Sequence, residues 1–314
     1  MQEYVAGVDV GGTTIKIAIF PKYERAVCSF SIPTRHGADQ FLLWGDIRDA
    51  IFEKLKQLGL EREQLTAIGM GLPGPITEDG YCSKLVNIGI GACYPAKELQ
   101  ELSGVPCICA NDANVAALGE VTYGVAKGHE SAAMITLGTG VGGGIINRGR
   151  IISGRHGVGG ELGHMVVNPL EKLPCNCGNR GCLEQYASAT GIVRSARTIL
   201  KETTIPSKLR AEERLTAKGV VDAAKEGDPV GLQALEVFGK YLGLAISHII
   251  HTTDPDIIIL GGGVSKAGQI LLDVVKNYVA QLTHITDKYG DIVLAELGND
   301  AGTYGAAALT YTII

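Results

Sequence analysis

An α/β fold built from a duplicated domain is what the sequence predicts, and three observations carry that prediction. A short apolar strand, a turn of glycine and threonine and a second apolar strand occur twice, about 125 residues apart. Runs rich in β-branched residues alternate with segments of helical periodicity along the rest of the chain. Asn111-Asp112 stands where a strand gives way to a helix, the edge at which open α/β sheets bind ligands.

The first hairpin is Tyr4 to Asp9, then Gly11-Gly12-Thr13-Thr14, then Ile15 to Phe20. Its tip offers backbone N–H groups and two hydroxyls, which suit phosphate oxygens, although such a turn also serves plain hairpin geometry. No Gly-Lys-Ser/Thr follows, which excludes a P-loop, and a strand rather than a helix follows, which excludes the dinucleotide fingerprint. Ala26 to Ser31 continues the strands. Phe41, Trp44, Ile47, Ile51, Leu55 and Leu58 give Ala38 to Leu58 the spacing of an amphipathic helix. Ala67 to Gly71 reads as a buried strand ending in the rigid turn Leu72-Pro73-Gly74-Pro75. Pro95 to Ser103 reads as a helix and Val105 to Ala110 as a strand.

A helix from about Ala113 to Tyr123 follows, so Asp112 sits at its N-terminus, where the helix dipole favours a carboxylate. Asp112 reads either as a plain N-cap or as an ionised group able to accept a proton. Ala132 to Leu137, the turn Gly138-Thr139-Gly140-Val141-Gly142-Gly143-Gly144 and Ile145-Ile146 repeat the first hairpin's design. Ala189 to Lys201, Thr216 to Glu226 and Val230 to Thr252 read as helices. Asp256 to Leu260 is a strand that runs through Gly261-Gly262-Gly263, a turn allowing very close approach to a phosphate or flat ligand, into the helix Gln269 to Leu282. Asp291 to Leu297 reads as a strand and Gly302 to Tyr311 as the last helix.

The most chemically loaded stretch runs from Gly160 to Glu184. It holds Gly160-Glu161-Leu162-Gly163-His164 and then Cys175-Asn176-Cys177-Gly178-Asn179-Arg180-Gly181-Cys182-Leu183-Glu184. Three thiolates and one imidazole are the ligand set of a closed tetrahedral zinc site. Buried ordinary cysteines and disulfides are the alternatives. Cys175 and Cys177 are too close for easy pairing, and three cysteines leave an odd thiol.

Composition narrows the function. A hydrophobic fraction of 46 % over 314 residues supports two domains with real cores. A net charge of -5 without a basic run argues against nucleic acid or an anionic membrane as partner. No apolar run reaches the roughly 18 residues of a spanning helix, and Met1 leads directly towards a strand with no signal peptide. Eight cysteines in such a chain point to a reducing cytoplasm.

In family order, Asp9-x-Gly11-Gly12-Thr13, Asn111-Asp112-x-Asn114, Leu137-Gly138-Thr139-Gly140-x-Gly142-Gly143-Gly144, Gly160-Glu161-x-Gly163-His164, Cys175-x-Cys177-Gly178-x-x-Gly181-Cys182-x-Glu184 and Gly261-Gly262-Gly263 match one family. The chain resembles the ROK family along essentially its whole length, and within it the bacterial ATP-dependent glucokinases. The resemblance implies an actin-like ATPase (ribonuclease H-like) fold of two α/β domains around a cleft. The small domain is expected at 1–112 plus 299–314, and the large one at 113–298 with the zinc-binding loop 164–184.

It further implies transfer of the γ-phosphoryl of ATP, with Mg²⁺, to the 6-hydroxyl of glucose in the cytoplasm, and a homodimer or homotetramer. By resemblance Asp112 is the general base. Gly74, Asn111, Asp112, Glu161, His164 and Glu184 are the sugar contacts, and His164, Cys175, Cys177 and Cys182 hold a structural Zn²⁺. Asp9, Gly11, Gly12, Thr13, Thr14, Gly138, Thr139, Gly140, Gly261, Gly262 and Gly263 are the nucleotide side. Lys16 reads equally as a phosphate neutraliser or a solvated strand residue.

Many glucokinases of the family carry an aromatic residue after Val86-Asn87-Ile88-Gly89, where this chain has Ile90-Gly91. N-acetylmannosamine, N-acetylglucosamine, fructose and mannose therefore stand as alternative substrates. A sugar-sensing regulator of the same family would need a DNA-binding segment before Asp9. An actin-like chaperone or filament ATPase would have no use for Glu161, His164 and Glu184.

Overall fold

The computed structural model describes residues 2–37, 39–286 and 288–314. In chain order the strands and helices are β1 (Tyr4–Val10), β2 (Thr14–Pro21), β3 (Cys28–Pro33), α1 (Gln40–Gln57), β4 (Leu65–Leu72), α2 (Pro95–Ser103), β5 (Cys107–Asn111), α3 (Asp112–Tyr123), β6 (Ala132–Leu137), β7 (Val141–Asn147), β8 (Arg150–Ile151), α4 (Glu184–Ala187), α5 (Ala189–Glu202), α6 (Ala217–Lys225), α7 (Pro229–Thr253), β9 (Ile257–Gly261), α8 (Gln269–Leu282), β10 (Asp291–Leu294) and α9 (Ala301–Thr310). Ala38, where the sequence starts the first helix, lies outside the described residues. α1 opens instead at Gln40, with the Asp39 carboxylate accepting from the Phe41 N–H.

The two sheets share one topology. The first runs β3-β2-β1-β4-β5 and the second, in the reverse sense, β10-β9-β6-β7-β8. β1 pairs antiparallel with β2 and parallel with β4, and β6 pairs parallel with β9. The duplication inferred from the two hairpins is therefore a duplication of whole sheets. In the second hairpin β7 starts at Val141, so Gly142, Gly143 and Gly144 are strand residues and the turn is only Gly138 to Gly140. Glycine weakens strand propensity, which is why the sequence reads them as turn, yet their N–H and C=O groups still join the ladder.

The chain divides into two compact units, residues 1–130, 144–160 and 296–314 in the first and 131–143 and 161–295 in the second. This differs from the division expected at Asp112. The physical reason is α3, which packs on α9 within the first unit. A Cβ on Gly305 would sit 1.7 Å from the Val115 carbonyl oxygen, so the two helices meet backbone to backbone. The cysteine-rich loop lies in the second unit, which is the one with fewer residues rather than the larger domain expected.

In the first unit, the face of the sheet under α1 and α2 buries Trp44, Ile47, Ile51, Ile15, Ile17 and Leu99. The other face carries α9, and Val5, Phe20, Ala67 and Ala307 fill the space between. Small residues set that spacing: a Cβ on Gly7 would lie 2.0 Å from the Thr303 oxygen and one on Gly69 1.8 Å from the Ala306 oxygen. In the second unit α7 contributes Phe238, Leu242 and Ile246 to the interior, and its Gly239 and Gly243 admit Val274 and Tyr278 of α8.

The closeness of α9 to the first sheet has a measurable consequence. Gly69→Ala forces a methyl into a backbone carbonyl, and we expect a loss of about 3 kcal/mol. Urea unfolding of the variant checks this, and an unchanged midpoint would show that α9 can shift at no cost.

Candidate active site

In the first unit the residues singled out by the sequence gather at the C-terminal edge of β1, β4 and β5. The β1–β2 turn is closed by the Gly11 N–H donating to the Thr14 oxygen at 3.1 Å, and the Thr34 hydroxyl donates to the Gly11 oxygen at 2.7 Å. Thr13 and Thr14 are exposed at the tip. Asp9 stands opposite Lys16 in the hairpin and beside Gly71 of β4. Burial holds its carboxyl above the ordinary carboxylate range, with the Lys16 charge pulling the other way. The Lys16 ammonium itself donates to the Asn299 carbonyl at 3.0 Å, so its hydrogen bonding serves the segment leading into α9.

Asp112 opens α3 directly after β5. Asn111 is the cap: its side-chain oxygen accepts from the N–H groups of Ala113 and Asn114 at 3.0 and 3.2 Å. Its amide nitrogen donates to the Gly74 oxygen at 3.2 Å, which ties the Leu72–Pro75 turn to the start of α3. Because Asn111 takes the cap, Asp112 is the first helical residue. One Asp112 oxygen accepts from the Ala113 N–H at 2.8 Å, and the positive end of the helix dipole favours its charged form.

In the second unit Glu161 precedes a short 3₁₀ turn at Leu162–His164, and its carbonyl accepts from the His164 N–H at 3.1 Å. One ligand atom each from His164, Cys175, Cys177 and Cys182 falls within 4.8 Å of all the others. The Cys177 and Cys182 sulfurs are 3.7 Å apart, and the Cys175 sulfur is 3.9 Å from His164 Nδ1. A tetrahedron with metal–sulfur bonds of 2.3 Å has edges of about 3.8 Å, so the four residues fit a zinc ion. The loop is closed by the Cys175 N–H donating to the Asn179 oxygen at 2.7 Å. Gly181, at φ +75°, lies against Asn168 where no side chain would fit. With thiols protonated, burial first and the neighbouring sulfurs second push Cys182 up to about 12. Metal binding would have to displace that proton.

Glu184 links this loop to the glycine turn of the second sheet. One of its oxygens accepts from the Val141 N–H at 3.1 Å and the other lies 3.7 Å from the Cys175 sulfur. A Cβ on Gly140 would be 2.2 Å from the same carboxylate, so only glycine permits the contact. Two residues on, the Tyr186 hydroxyl donates to Glu171 at 2.6 Å and accepts from the Asn168 amide at 2.8 Å. Arg194 pairs with the same Glu171 oxygen at 3.0 Å, and Tyr241 stacks on the Tyr186 ring. Burial opposes the Glu171 charge, but the donors from Tyr186, Leu173 and Arg194 outweigh it and hold the carboxyl at about 2.

A pocket of about 670 Å³ lies in the second unit against Gly138, Thr139 and Gly263. Its walls include Ala189, Val221, Val264 and Ala267, with Lys218, Asp222, Lys225 and Lys266 around them. Sequence reasoning named the glycines and read Thr216 to Glu226 as a helix, but gave that helix no part in the site. That helix reads as an ordinary amphipathic segment, and only its lysine and aspartate spacing hints at a second use.

The predicted residues thus fall into two groups. Asp9, Gly11 to Thr14, Gly74, Asn111 and Asp112 belong to the first unit. Gly138 to Gly140, Glu161, His164, the three cysteines, Glu184 and Gly261 to Gly263 belong to the second.

Two sheets of one topology, each begun by a hairpin with a glycine–threonine turn, define an actin-like ATPase (ribonuclease H-like) fold. The ROK family model matches residues 5–313, and the chain belongs to the ROK family. It is 41% identical over 313 residues to a glucokinase of Halalkalibacterium halodurans, covering 98% of this chain and 94% of that one. It is 32% identical to an N-acetyl-D-glucosamine kinase of Vibrio atlanticus over 96% of this chain and 98% of that one. Among solved structures, a ROK family glucokinase from Streptomyces griseus in complex with glucose and AMPPNP matches with a TM-score of 0.74 and 30% identity, covering 98% of this chain and 99% of that one.

The cysteine cluster can be checked with Co²⁺, whose tetrahedral thiolate complexes absorb strongly in the visible and near ultraviolet. We expect one such site in the intact chain and none in Cys182→Ser; an unchanged spectrum in the variant would remove Cys182 from the ligand set. Glu171 gives a pH prediction. Its folded pKa of about 2 lies below the ordinary 4.5. The stability it contributes is therefore complete above pH 4.5 and is lost as pH falls towards 2. Denaturant midpoints across that window should fall less steeply for Glu171→Gln than for the unaltered chain, and parallel curves would show that the network contributes nothing.

Proposed function

We propose that the chain is an ATP-dependent glucokinase, transferring the γ-phosphoryl of ATP to the 6-hydroxyl of glucose. The observation that carries the chemistry is Asp112 at the first turn of α3, directly after β5 and beside the Asn111–Gly74 bridge. There the helix dipole favours the carboxylate form, which can accept the proton of the attacking hydroxyl, a step that contributes about 10²–10⁴-fold in rate. The kinship with proteins named glucokinase supports glucose as the acceptor.

Asn111, Glu161, His164 and Glu184 supply acceptors and donors for the other sugar hydroxyls, with the Gly74 backbone bonded to Asn111. His164 uses Nδ1 towards the cysteines and keeps Nε2 for the sugar. Zn²⁺ held by His164, Cys175, Cys177 and Cys182 is structural, since four protein ligands leave no open position. It fixes the His164 ring and the loop leading to Glu184.

Gly11 to Thr14, Gly138 to Gly140 and Gly261 to Gly263 bring backbone N–H groups to the phosphates, and the pocket walled by Val221 and Val264 takes the base. Asp9 is the residue that would hold a Mg²⁺ ion, and the ion would neutralise charge on the phosphate oxygens. Among the described residues no helix is long and apolar enough to cross a membrane. The free thiols suit the cytoplasm, and a homodimer or homotetramer is the assembly we assign.

The second reading is an N-acetylglucosamine kinase, favoured by the kinship with proteins of that name. An ADP-release assay with Mg-ATP over glucose, fructose, mannose and the N-acetylhexosamines separates the two, and glucose should give the highest kcat/KM. Asp112→Asn should lower kcat by about 10²–10⁴-fold while leaving ATP binding and metal content unchanged. A variant that retained a tenth of the original turnover would exclude Asp112 as the base.

A further inference from the structure

Cys82 and Cys93 face each other across a short irregular ladder in the first unit, and nothing in the proposed kinase chemistry uses them. The Cys82 N–H donates to the Cys93 oxygen and the Cys93 N–H to the Cys82 oxygen, both at 3.0 Å. The pair is thus the hydrogen-bonded kind in an antiparallel ladder, whose Cα atoms lie about 5.5 Å apart. Disulfides most often bridge Cα atoms about 5.5–6 Å apart. Both residues are buried, at 0% and 5% exposure.

We propose that Cys82 and Cys93 form a reversible disulfide that closes the segment 83–92. With hydrogen peroxide as oxidant, the thiolate of one cysteine attacks a peroxide oxygen, breaking the O–O bond and leaving a sulfenic acid and water. The second thiol attacks that sulfur, the S–S bond forms, and the sulfenic oxygen leaves as a second water. Two thiols lose two electrons and two protons in all, and the peroxide takes up both. A hydrogen bond from the Cys93 thiol holds Cys82 below the ordinary thiol range, against the effect of burial, which makes Cys82 the attacking group.

Access comes from the ladder's own weakness. It consists of isolated bridges at Ile76–Cys82, Cys82–Cys93 and Leu85–Ile90, and Ser83, Lys84, Asn87, Gly89, Gly91 and Ala92 are exposed. Segments with few ladder bonds and exposed backbone open locally at low free energy. The same opening admits a small-molecule thiol, which makes the bond reversible.

The segment matters because of what it touches. A Cβ on Gly74 would lie 3.1 Å from the Lys84 oxygen, and one on Gly12 3.8 Å from Asn87. The covalent closure would therefore stiffen a loop that borders both the Asn111–Gly74 bridge and the first glycine turn. This functional consequence rests on the glucokinase reading, whereas the bond itself does not.

The test is peptide mapping of the zinc-loaded chain after treatment with hydrogen peroxide, alkylation and non-reducing digestion. We expect one linked pair joining the Cys82 and Cys93 peptides, two hydrogens lighter than the free peptides and separated again by dithiothreitol. The sugar KM should change severalfold in step with the bond, and Cys82→Ala and Cys93→Ala should each abolish both effects. Because the unaltered chain is mapped directly, the result does not depend on either variant folding. Separate alkylation of Cys82 and Cys93 after oxidation, or bonds confined to Cys175, Cys177 and Cys182, would overturn the proposal. A mapped bond in a chain inert towards every sugar would uphold the disulfide and sink the kinase reading instead.

Discussion

Helix α9 lies so close to the first sheet that backbone meets backbone, and much of the first unit's geometry follows from that approach. Gly7 and Gly69 stand beneath it, and Gly119 of α3 and Gly305 of α9 stand where the two helices touch. At its start, Gly302 leaves room for the Asp9 carboxylate, since a Cβ there would be 2.7 Å from Asp9 Oδ2. The same helix that fixes α3, and with it Asp112, therefore also borders the acid at the end of β1. The buried Glu120 secures the arrangement by accepting from the N–H groups of Val125, Glu296 and Leu297. A polar carboxyl group at 0% exposure is tolerable only because backbone donors replace its water.

The second unit solves its positioning problem differently. The segment from Val166 to Leu183 has little regular structure, with single bridges at Val166–Cys182 and Pro174–Arg180. Local hydrogen bonds alone hold such a loop weakly. A metal held by the His164 and cysteine set would supply the missing constraint, and Glu184 ties the end of the loop to the Gly140–Val141 turn. The Tyr186, Glu171 and Arg194 network closes the other side of α4. One Glu184 oxygen is engaged by the Val141 N–H, so a sugar hydroxyl donating to that oxygen has to share it.

Much of this was legible in the sequence because it is local. The helix Pro95–Ser103, the strand Ala132–Leu137 and the helix Gln269–Leu282 agree with their expected limits, since periodicity and flanking proline or glycine fix them within one segment. The cysteine spacing likewise announced its cluster. What the sequence withheld is non-local. The expected boundary at Asp112 missed α3 because its packing partner, α9, lies at the far end of the chain. The pocket beside α6 was hidden for a similar reason: Val221 and Asp222 become pocket walls only when β6 and β9 bring Thr139 and Gly263 next to them.

The duplication also explains why one half carries an acidic residue as the first residue of its helix. In each sheet the last parallel strand, β5 or β10, is followed by a helix, α3 or α9, so the two helices occupy equivalent places in the repeat. After β5 the chain turns directly, with Asn111 as cap and Asp112 in the first helical turn. After β10 it makes a detour through Ala295 to Asp300, and α9 opens with Ala301 and Gly302, which have no side-chain acid or amide. Gly302 has to be small because Asp9 fills the space a side chain would take. One copy of the repeat thus has a carboxylate as its first helical residue, whereas in the other the acid, Asp300, stands at the cap and the small residues after it leave room for the Asp9 carboxylate of β1.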